Sequence, residues 1–320
     1  MKVLLLGGGN FVGPHIIESL LEKNHKITIV TRGKRTIKYS DKVETLIVDR
    51  SRPFVISGVW DCVIDTSTYV PSMVKNTINA LKNSEFKKYI FLSSISVYKD
   101  YKFDDIKEDY KVKNITESEI EISESIVRPE TGVVAEAYPN FGGLRALCER
   151  VLEEEYREKM VIARIGLLCG PYDYSQRVIG WLKRIKSSDR ILVPGRAEQP
   201  VQLLDVRDLA RWVALNVDSS SSGIFNLVGK KNETFSSFLN EVREVLNVSA
   251  ELYWLDDNIE CIDKELVSKF MPWLPMRVFP LHTGFYNLSN SKSLQFGLSY
   301  TPLKKSINDI DNWLLETESY

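Results

Sequence analysis

The sequence is poor in most of the features that mark specialised proteins. Its four cysteines, Cys62, Cys148, Cys169 and Cys261, lie far apart with no CxxC pair. That leaves neither a zinc site nor a disulfide framework, and the expectation is thiols buried in a reducing cytoplasm. The three histidines, His15, His25 and His282, are isolated, without the spacing of a metal site or a catalytic triad, so no metal is expected. Excess charge is lacking too. A net charge of -1 gives no electrostatic footprint for nucleic acid, whose binders concentrate Lys and Arg on a basic domain. Long apolar runs are missing as well. The opening Val3-Leu4-Leu5-Leu6 stops at Gly7, short of a signal-peptide core, and no later stretch approaches the ~20 apolar residues of a membrane helix. The sequence thus predicts a cytoplasmic protein with neither a membrane nor a nucleic acid as partner.

What the chain does have is alternation. Short, mostly unalternated apolar runs, Val3 to Leu6, Ile27 to Val30, Thr45 to Val48, Cys62 to Ile64, Tyr89 to Leu92 and Val161 to Ala163, read as strands buried on both faces of a parallel sheet. Helical-period segments lie between them. Pro14 to Leu21 opens with Pro in its first turn and carries Ile16, Ile17, Leu20 and Leu21 on one face. Gly142 to Tyr156 places Leu144, Cys148, Val151 and Leu152 together. The pattern predicts an α/β fold, a Rossmann-type doubly wound parallel sheet over residues 1–169, with a charged surface insertion at about 99–137 of the kind that often serves as a lid. Residues 170–320 read as a smaller, mainly substrate-binding α/β portion. There, Asp205 and Asp208 start and cap a helix from Val206 to Val217, Trp254 and Trp273 read as core, and Met271-Pro272-Trp273-Leu274-Pro275 breaks the alternation.

The first strand runs into Gly7-Gly8-Gly9-Asn10-Phe11-Val12-Gly13 and then directly into the Pro14 helix. Gly7 suits the sharp turn off the strand and Gly13 the close packing of helix on strand. The middle glycine position falls on Asn10, the non-glycine residue that best tolerates a left-handed backbone. Amides at the helix start, from Asn10 through Phe11 and Val12, then face a pyrophosphate, aided by the helix dipole. NAD-preferring sites end the second strand in Asp or Glu. Here it ends in Thr31-Arg32, with Lys34 and Arg35 behind, and Arg32 offers a guanidinium fork to a 2′-phosphate. NADP is the expected cofactor and NAD the alternative.

Gly7-Gly8-x-x-Phe11-x-Gly13, Thr31-Arg32-Gly33 and the run Ser93-Ser94-Ile95-Ser96-Val97-Tyr98 resemble the extended and atypical short-chain dehydrogenase/reductases. Further matches are Arg164-Ile165-Gly166 with Gly170-Pro171, Pro200-Val201-Gln202 leading into Asp205-Val206-Arg207-Asp208, and Gly223-Ile224-Phe225-Asn226-Leu227. They point to the NAD-dependent epimerase/dehydratase group, which includes isoflavone-reductase-like proteins and chloroplast stem-loop-binding proteins. The resemblance covers most of the chain and is specific for fold, not for substrate. It implies that Asp49 contacts the adenine, that Thr66, Ser67 and Ser93 line the cofactor, and that Ile165 and Gly166 flank the nicotinamide. It further implies that Ser94 is the catalytic Ser/Thr, that Ser96, Arg177 and Gln202 face a small-molecule substrate, and that a homodimer is the oligomer to look for.

The family's chemistry rests on Tyr-x-x-x-Lys at a helix start, where the lysine lowers the phenol's pKa and positions the nicotinamide ribose. The matching stretch here is Phe141-Gly142-Gly143-Leu144-Arg145. Phe141 carries no proton to exchange, while Arg145 can still hold the ribose. Three readings follow. In one, another donor (Tyr138, Ser94, Tyr98 or a water) takes over, and the protein remains an oxidoreductase or epimerase/dehydratase acting on a carbonyl or sugar-nucleotide-type molecule. In another, it binds the cofactor as a sensor or scaffold without turnover. The third is RNA binding, by analogy with the chloroplast relatives.

Overall fold

The computed structural model describes residues 1–127, 137–173, 175, 177–255 and 283–318. Its chain runs β1 (Lys2–Leu6), α1 (Val12–Glu22), β2 (Lys26–Thr31), β3 (Glu44–Ile47), β4 (Gly58–Asp65), α2 (Pro71–Ala80), β5 (Ser84–Ser94), α3 (Glu117–Ser125), α4 (Phe141–Tyr156) and β6 (Met160–Ile165). It continues through β7 (Leu167–Cys169), α5 (Arg177–Ser187), β8 (Arg190–Val193), β9 (Leu203–Asp205), α6 (Val206–Asn216), β10 (Gly223–Leu227), α7 (Phe235–Leu246), β11 (Glu251–Trp254), α8 (Ser291–Gln295) and α9 (Leu303–Glu318). Seven strands form one sheet in the order β3-β2-β1-β4-β5-β6-β10, and every neighbouring pair is parallel. This is the predicted Rossmann-type fold.

Apolar periodicity accounts for the layers. Val3, Leu5, Ile27, Ile29 and Ile64 point to one face, where Ile16, Ile17 and Leu20 of α1 and Leu209, Trp212 and Val213 of α6 cover them. Leu4, Leu6, Val63 and Phe91 point to the other, under Val74 of α2 and Cys148 and Leu152 of α4. Successive residues in a strand face opposite layers, so a central strand with helices on both sides must be apolar throughout. The third strand departs from the expected double burial. All four residues of β3 are exposed because it is the sheet's edge. Helix α1 begins at Val12 rather than Pro14, which places Pro14 inside the first turn, where a missing N–H costs nothing.

Two expectations about organisation need correction. The boundary at 169/170 is not a clean division, because β10 from the later half pairs with β6 in the main sheet and α6 packs on it. A separate core does exist beyond β7. It gathers Trp181 and Ile185 of α5, Phe235 and Phe238 of α7, and Ile307 and Ile310 of α9, beside the parallel pair β8–β11. Trp254 packs edge-on to Phe235 at 5.5 Å, in the wall of this core. The insertion is also more than a surface excursion. Tyr98 pairs with Val112 in an antiparallel bridge, Ile106 is buried, and a Thr116–Glu119 capping box starts α3. Residues 128–136 of the insertion, Cys261, Trp273, His282 and the Met271–Pro275 stretch lie outside the described residues. Cys62, Cys148 and Cys169 are free and buried, and no described helix is long and apolar enough to cross a membrane.

Candidate cofactor and substrate cleft

A large cleft opens along the carboxyl ends of β1, β2, β4, β5 and β6. Its volume, about 1420 Å³, exceeds the roughly 300–1,000 Å³ of pockets that hold one drug-sized ligand. It has room for a dinucleotide and a second molecule.

At the floor, Gly7 has φ +102° and Gly8 φ +146°, so these two glycines make the turn off β1. A Cβ on Gly7 would collide with Thr66 and Ser67, and one on Gly13 would overlap the Gly8 carbonyl. The outer glycines therefore make the turn off β1 and the close approach of α1 to it. Asn10 does not need its tolerance of left-handed backbone, since it is not among the positive-φ residues and the turn is complete before it. Its side-chain carbonyl instead accepts from Arg35 Nη1 at 2.8 Å, tying the glycine turn to the loop after β2. Gly13 N–H donates back to Asn10 O. No side chain caps the start of α1 and no acid sits in its first turn, yet Phe11, Val12 and Gly13 line the cleft. An uncapped helix N-terminus beside a space is a site for an anion.

At one end the cleft is basic. Arg32, Lys34, Arg35 and Arg52 line it with one carboxylate, Asp49. Burial acts to raise the pKa of Asp49, but hydrogen bonds from the Ser51 hydroxyl and amide, with the Arg32 and Arg52 charges, hold it below the usual carboxylate value. Thr66 and Ser67 line the cleft as expected, with both hydroxyls donating to Leu6 O at 3.1 and 3.3 Å.

Behind Ser67 lies a group that sequence reasoning missed. Arg50, 5% exposed, pairs through both terminal nitrogens with Asp65 at 3.1 Å and donates to Ser67 Oγ at 2.7 Å. Tyr89 donates to the same carboxylate. An arginine after a strand reads as exposed in sequence. The clue was Asp65 following directly on the buried apolar run Cys62 to Ile64, since a buried carboxylate demands a cation.

In the middle of the cleft, Ser94 ends β5 and its Oγ accepts from Ser96 N at 3.1 Å, with both serines lining the space. Ser93 also lines it, but its hydroxyl is spent on the buried Glu149, the ion-pair partner of Arg164, so it is not offered to a cofactor. Tyr98 is not in the cleft. It is fully buried with its hydroxyl on Asn226 at 2.5 Å, and burial pushes its pKa up to about 12, which removes it as an alternative acid. Tyr138 does line the cleft, stacked on Tyr69 with centroids 5.8 Å apart.

Phe141 begins α4, whose N-cap Asn140 sits at φ +48° and accepts from Gly143 N at 3.2 Å. Gly142 lets the helix start abut Ser96, because a Cβ there would overlap the Ser96 carbonyl. Phe141 is thereby fixed beside the serines. Arg145 also lines the cleft, but its two terminal nitrogens donate to the carbonyls of Thr68 and Leu92, and its guanidinium lies over Phe91 at 4.3 Å. Those two contacts tie the cleft wall to β5 and to the loop after β4, while Nε has no partner among the described residues.

On the far side, Ile165 and Gly166 line the cleft, followed by Asp173, Ser175 and Arg177. Asp173 Oδ2, Ser175 Oγ and Arg177 Nε are buried without partners among the described residues, and burial raises the Asp173 pKa despite the hydrogen bond from Ser175 N and the Arg177 charge. Gln202 is not brought to this wall. Its amide donates to Gly229 O and Leu288 O and accepts from Leu288 N, so it is a buried strut between loops, and no part of it lines the cleft. Among the described residues, no three His, Cys, Asp or Glu converge to hold a metal.

No family model matches the chain. A chloroplast stem-loop binding protein of 41 kDa from Arabidopsis thaliana is 28% identical over 255 residues, which cover 73% of this chain. The match spans 60% of that relative's length. Solved structures share the fold end to end. A UDP-glucuronic acid 4-epimerase from Bacillus cereus in complex with NAD superposes with a TM-score of 0.69 at 14% identity, covering 100% of this chain and 98% of that one. A UDP-N-acetylglucosamine 4-epimerase from Methanobrevibacter ruminantium M1 gives 0.68 at 16% identity over 99% and 98%. The Bordetella bronchiseptica enzyme WbmH in complex with NAD+ gives 0.67 at 15% over 98% of each chain.

Proposed function

We propose that this protein is a nicotinamide-dinucleotide-dependent epimerase/dehydratase-type enzyme that acts on a sugar-nucleotide-type small molecule and prefers NADP. One observation carries the proposal. The same cleft holds an uncapped helix start behind a glycine turn at one end and, at the other, Asp173, Ser175 and Arg177 atoms without partners among the described residues, with Ser94 and Tyr138 also in its lining. The glycine turn fits a dinucleotide, because at Gly7 and Gly13 any side chain would fill or wedge open the cradle. The structural neighbours named with NAD fit this reading.

When bound, the cofactor supplies hydride acceptance and donation. The protein's own residues do the rest. The start of α1 receives the diphosphate, and Arg32 with its basic neighbours receives the 2′-phosphate. Ser94 orients the substrate oxygen, and Tyr138, a phenol on the cleft wall, exchanges the proton that Phe141 cannot. Arg177 and Asp173 offer a cation and a carboxyl to the substrate's polar end.

A second reading, cofactor binding without turnover, is favoured by Phe141 and by the commitment of Arg145 to two carbonyls. Two measurements separate the readings. Fluorescence titration with NADPH and NADH should show binding, NADPH the tighter. Incubation of the loaded protein with UDP-sugars in deuterated water, or with 4-deuterated sugars, should show exchange or epimerisation. Binding without exchange across sugar nucleotides and simple carbonyls supports the second reading, and no affinity for either cofactor overturns both.

A further inference from the structure

A second concavity, of about 610 Å³, is lined by Lys99, Lys111, Val112, Lys113, Asn114 and Asn140. The local pairing places its charges. Tyr98 bridges Val112 in antiparallel register, Lys99 N donates to Lys111 O, and Lys113 N donates to Val97 O. Tyr98 and Val112 turn into a small core with Ile106 and Leu288. The register sets Lys99 directly across from Lys111, with Lys113, opposite the buried Val97, two residues on, and all three lysines line the groove. Like charges directly opposed on a ribbon destabilise it. Among the described residues, no carboxylate lies within ion-pair distance of any of the three. Lys113 suffers most, for burial alone lowers its pKa and no acid offsets the loss of water. Its side chain lies against the first turn of α4, where a Cβ on Gly142 would come within 3.0 Å of its Cδ. Asn140, the cap of that sixteen-residue helix, forms the facing wall.

We infer that this groove is an anion site, separate from the main cleft, which binds a phosphate-bearing small molecule through Lys99, Lys111 and Lys113. The chemistry it fits is a compact, multiply charged oxyanion. Three lysines line one concavity, the Asn114 side chain can donate beside them while the Asn140 amide is held by Asn114 O and Glu119 Oε1, and the helix start adds positive potential. An extended polyanion fits less well, because the groove's basic lining is these three lysines alone. The Ser96 carbonyl and Lys113 Cδ both lie against Gly142 in the first turn of α4, so an anion held in the groove would load the turn that positions the candidate acid/base groups.

The test uses the whole 320-residue chain and inorganic pyrophosphate as probe, followed by calorimetry with and without saturating NADPH. Pyrophosphate should bind in both conditions, and the Lys99→Gln, Lys111→Gln double variant should bind it on the order of a hundredfold more weakly, about tenfold for each charge-assisted contact. The Lys113→Gln variant should weaken it as well, while NADPH affinity and the thermal transition of the exposed-lysine double variant stay at parental values. The proposal is overturned if pyrophosphate fails to bind the parent, or if the double variant binds it equally well. It is also overturned if a single-stranded RNA oligomer displaces pyrophosphate with a steep salt dependence that both lysines control, since that would make the groove a nucleic-acid contact.

Discussion

The rings of Tyr69 and Tyr138 stack 8° from parallel, and Phe141 tilts against Tyr69 at 6.4 Å. Three aromatic rings thus form part of the cleft wall. Tyr138 is placed by this stack rather than by the helix that carries the usual tyrosine. If its hydroxyl exchanges the proton, Tyr138→Phe keeps the stack and removes only the acid. Turnover should then fall by about 10²–10⁴, with NADPH affinity unchanged. Single-turnover hydride transfer, measured beside a binding titration, checks this. Unaltered turnover would move the role to Ser94 or to a water.

Arg32 lies close enough to Asp49 to help hold that carboxylate ionised, which leaves a guanidinium and a carboxylate side by side where adenosine would sit. A 2′-phosphate needs the first, and free ribose hydroxyls suit the second. Arg32→Ala should therefore weaken NADPH about tenfold or more, the magnitude of a charge-assisted hydrogen bond, while NADH is held as before or slightly better. The NADPH loss should shrink as salt is raised. Equal weakening of both cofactors would show that Arg32 supports the loop rather than reading the phosphate.

Much of this was legible in sequence because it depends on local pattern. The strand cores, the glycine turn and the capping aspartate at 205 each follow from spacing, and Asp205 does accept from Arg207 N at the start of α6. What stayed illegible depends on partners distant in the chain. Gln202 looks like a site residue until Gly229 and Leu288 arrive to take its amide. Arg145 looks like a stand-in for lysine until the carbonyls of Thr68 and Leu92 claim it. Tyr98 follows a site motif, but the insertion closes over it and Asn226 takes its hydroxyl. The same long-range closure gave β10 to the main sheet and erased the expected boundary.

Glycine substitutions separate cradle from scaffold. At Gly13 a methyl group would press on the Gly8 carbonyl, which is backbone and cannot swing away. Gly13→Ala should cost about 1–3 kcal/mol by overpacking and abolish cofactor binding by prising α1 from the turn. Gly180, inside α5, has nothing within 4 Å of the point where a methyl group would sit. Gly180→Ala should instead stabilise by about 0.5–1 kcal/mol through helix propensity, with binding intact. Denaturant unfolding and NADPH titration on both variants check the pair, and retained binding in Gly13→Ala would contradict the cradle.

The buried Arg50–Asp65 pair gives stability a pH dependence whose direction reverses on mutation. Burial pushes the Asp65 pKa up, but the Arg50 charge and hydrogen bonds, with those of Thr68 and Ser67, outweigh it and leave the carboxyl below its ordinary value. A folded-state pKa below the unfolded one stabilises the protein above the unfolded value, about 3.9, and that contribution is lost as pH falls through the folded one. In Arg50→Leu the burial remains and its counter-charge is gone, so the folded pKa rises above the unfolded one. Stability is then greatest at low pH and declines as pH climbs toward the raised value. The variant should lose about 3–5 kcal/mol near neutrality, the cost of an orphaned buried charge, and recover part of it at pH 5. The double change Arg50→Leu, Asp65→Asn should restore much of the loss and flatten the profile. Chemical unfolding at pH 5 and pH 8 decides the matter: a single variant whose stability still rises with pH would mean that water, not protein, surrounds the carboxyl behind Ser67.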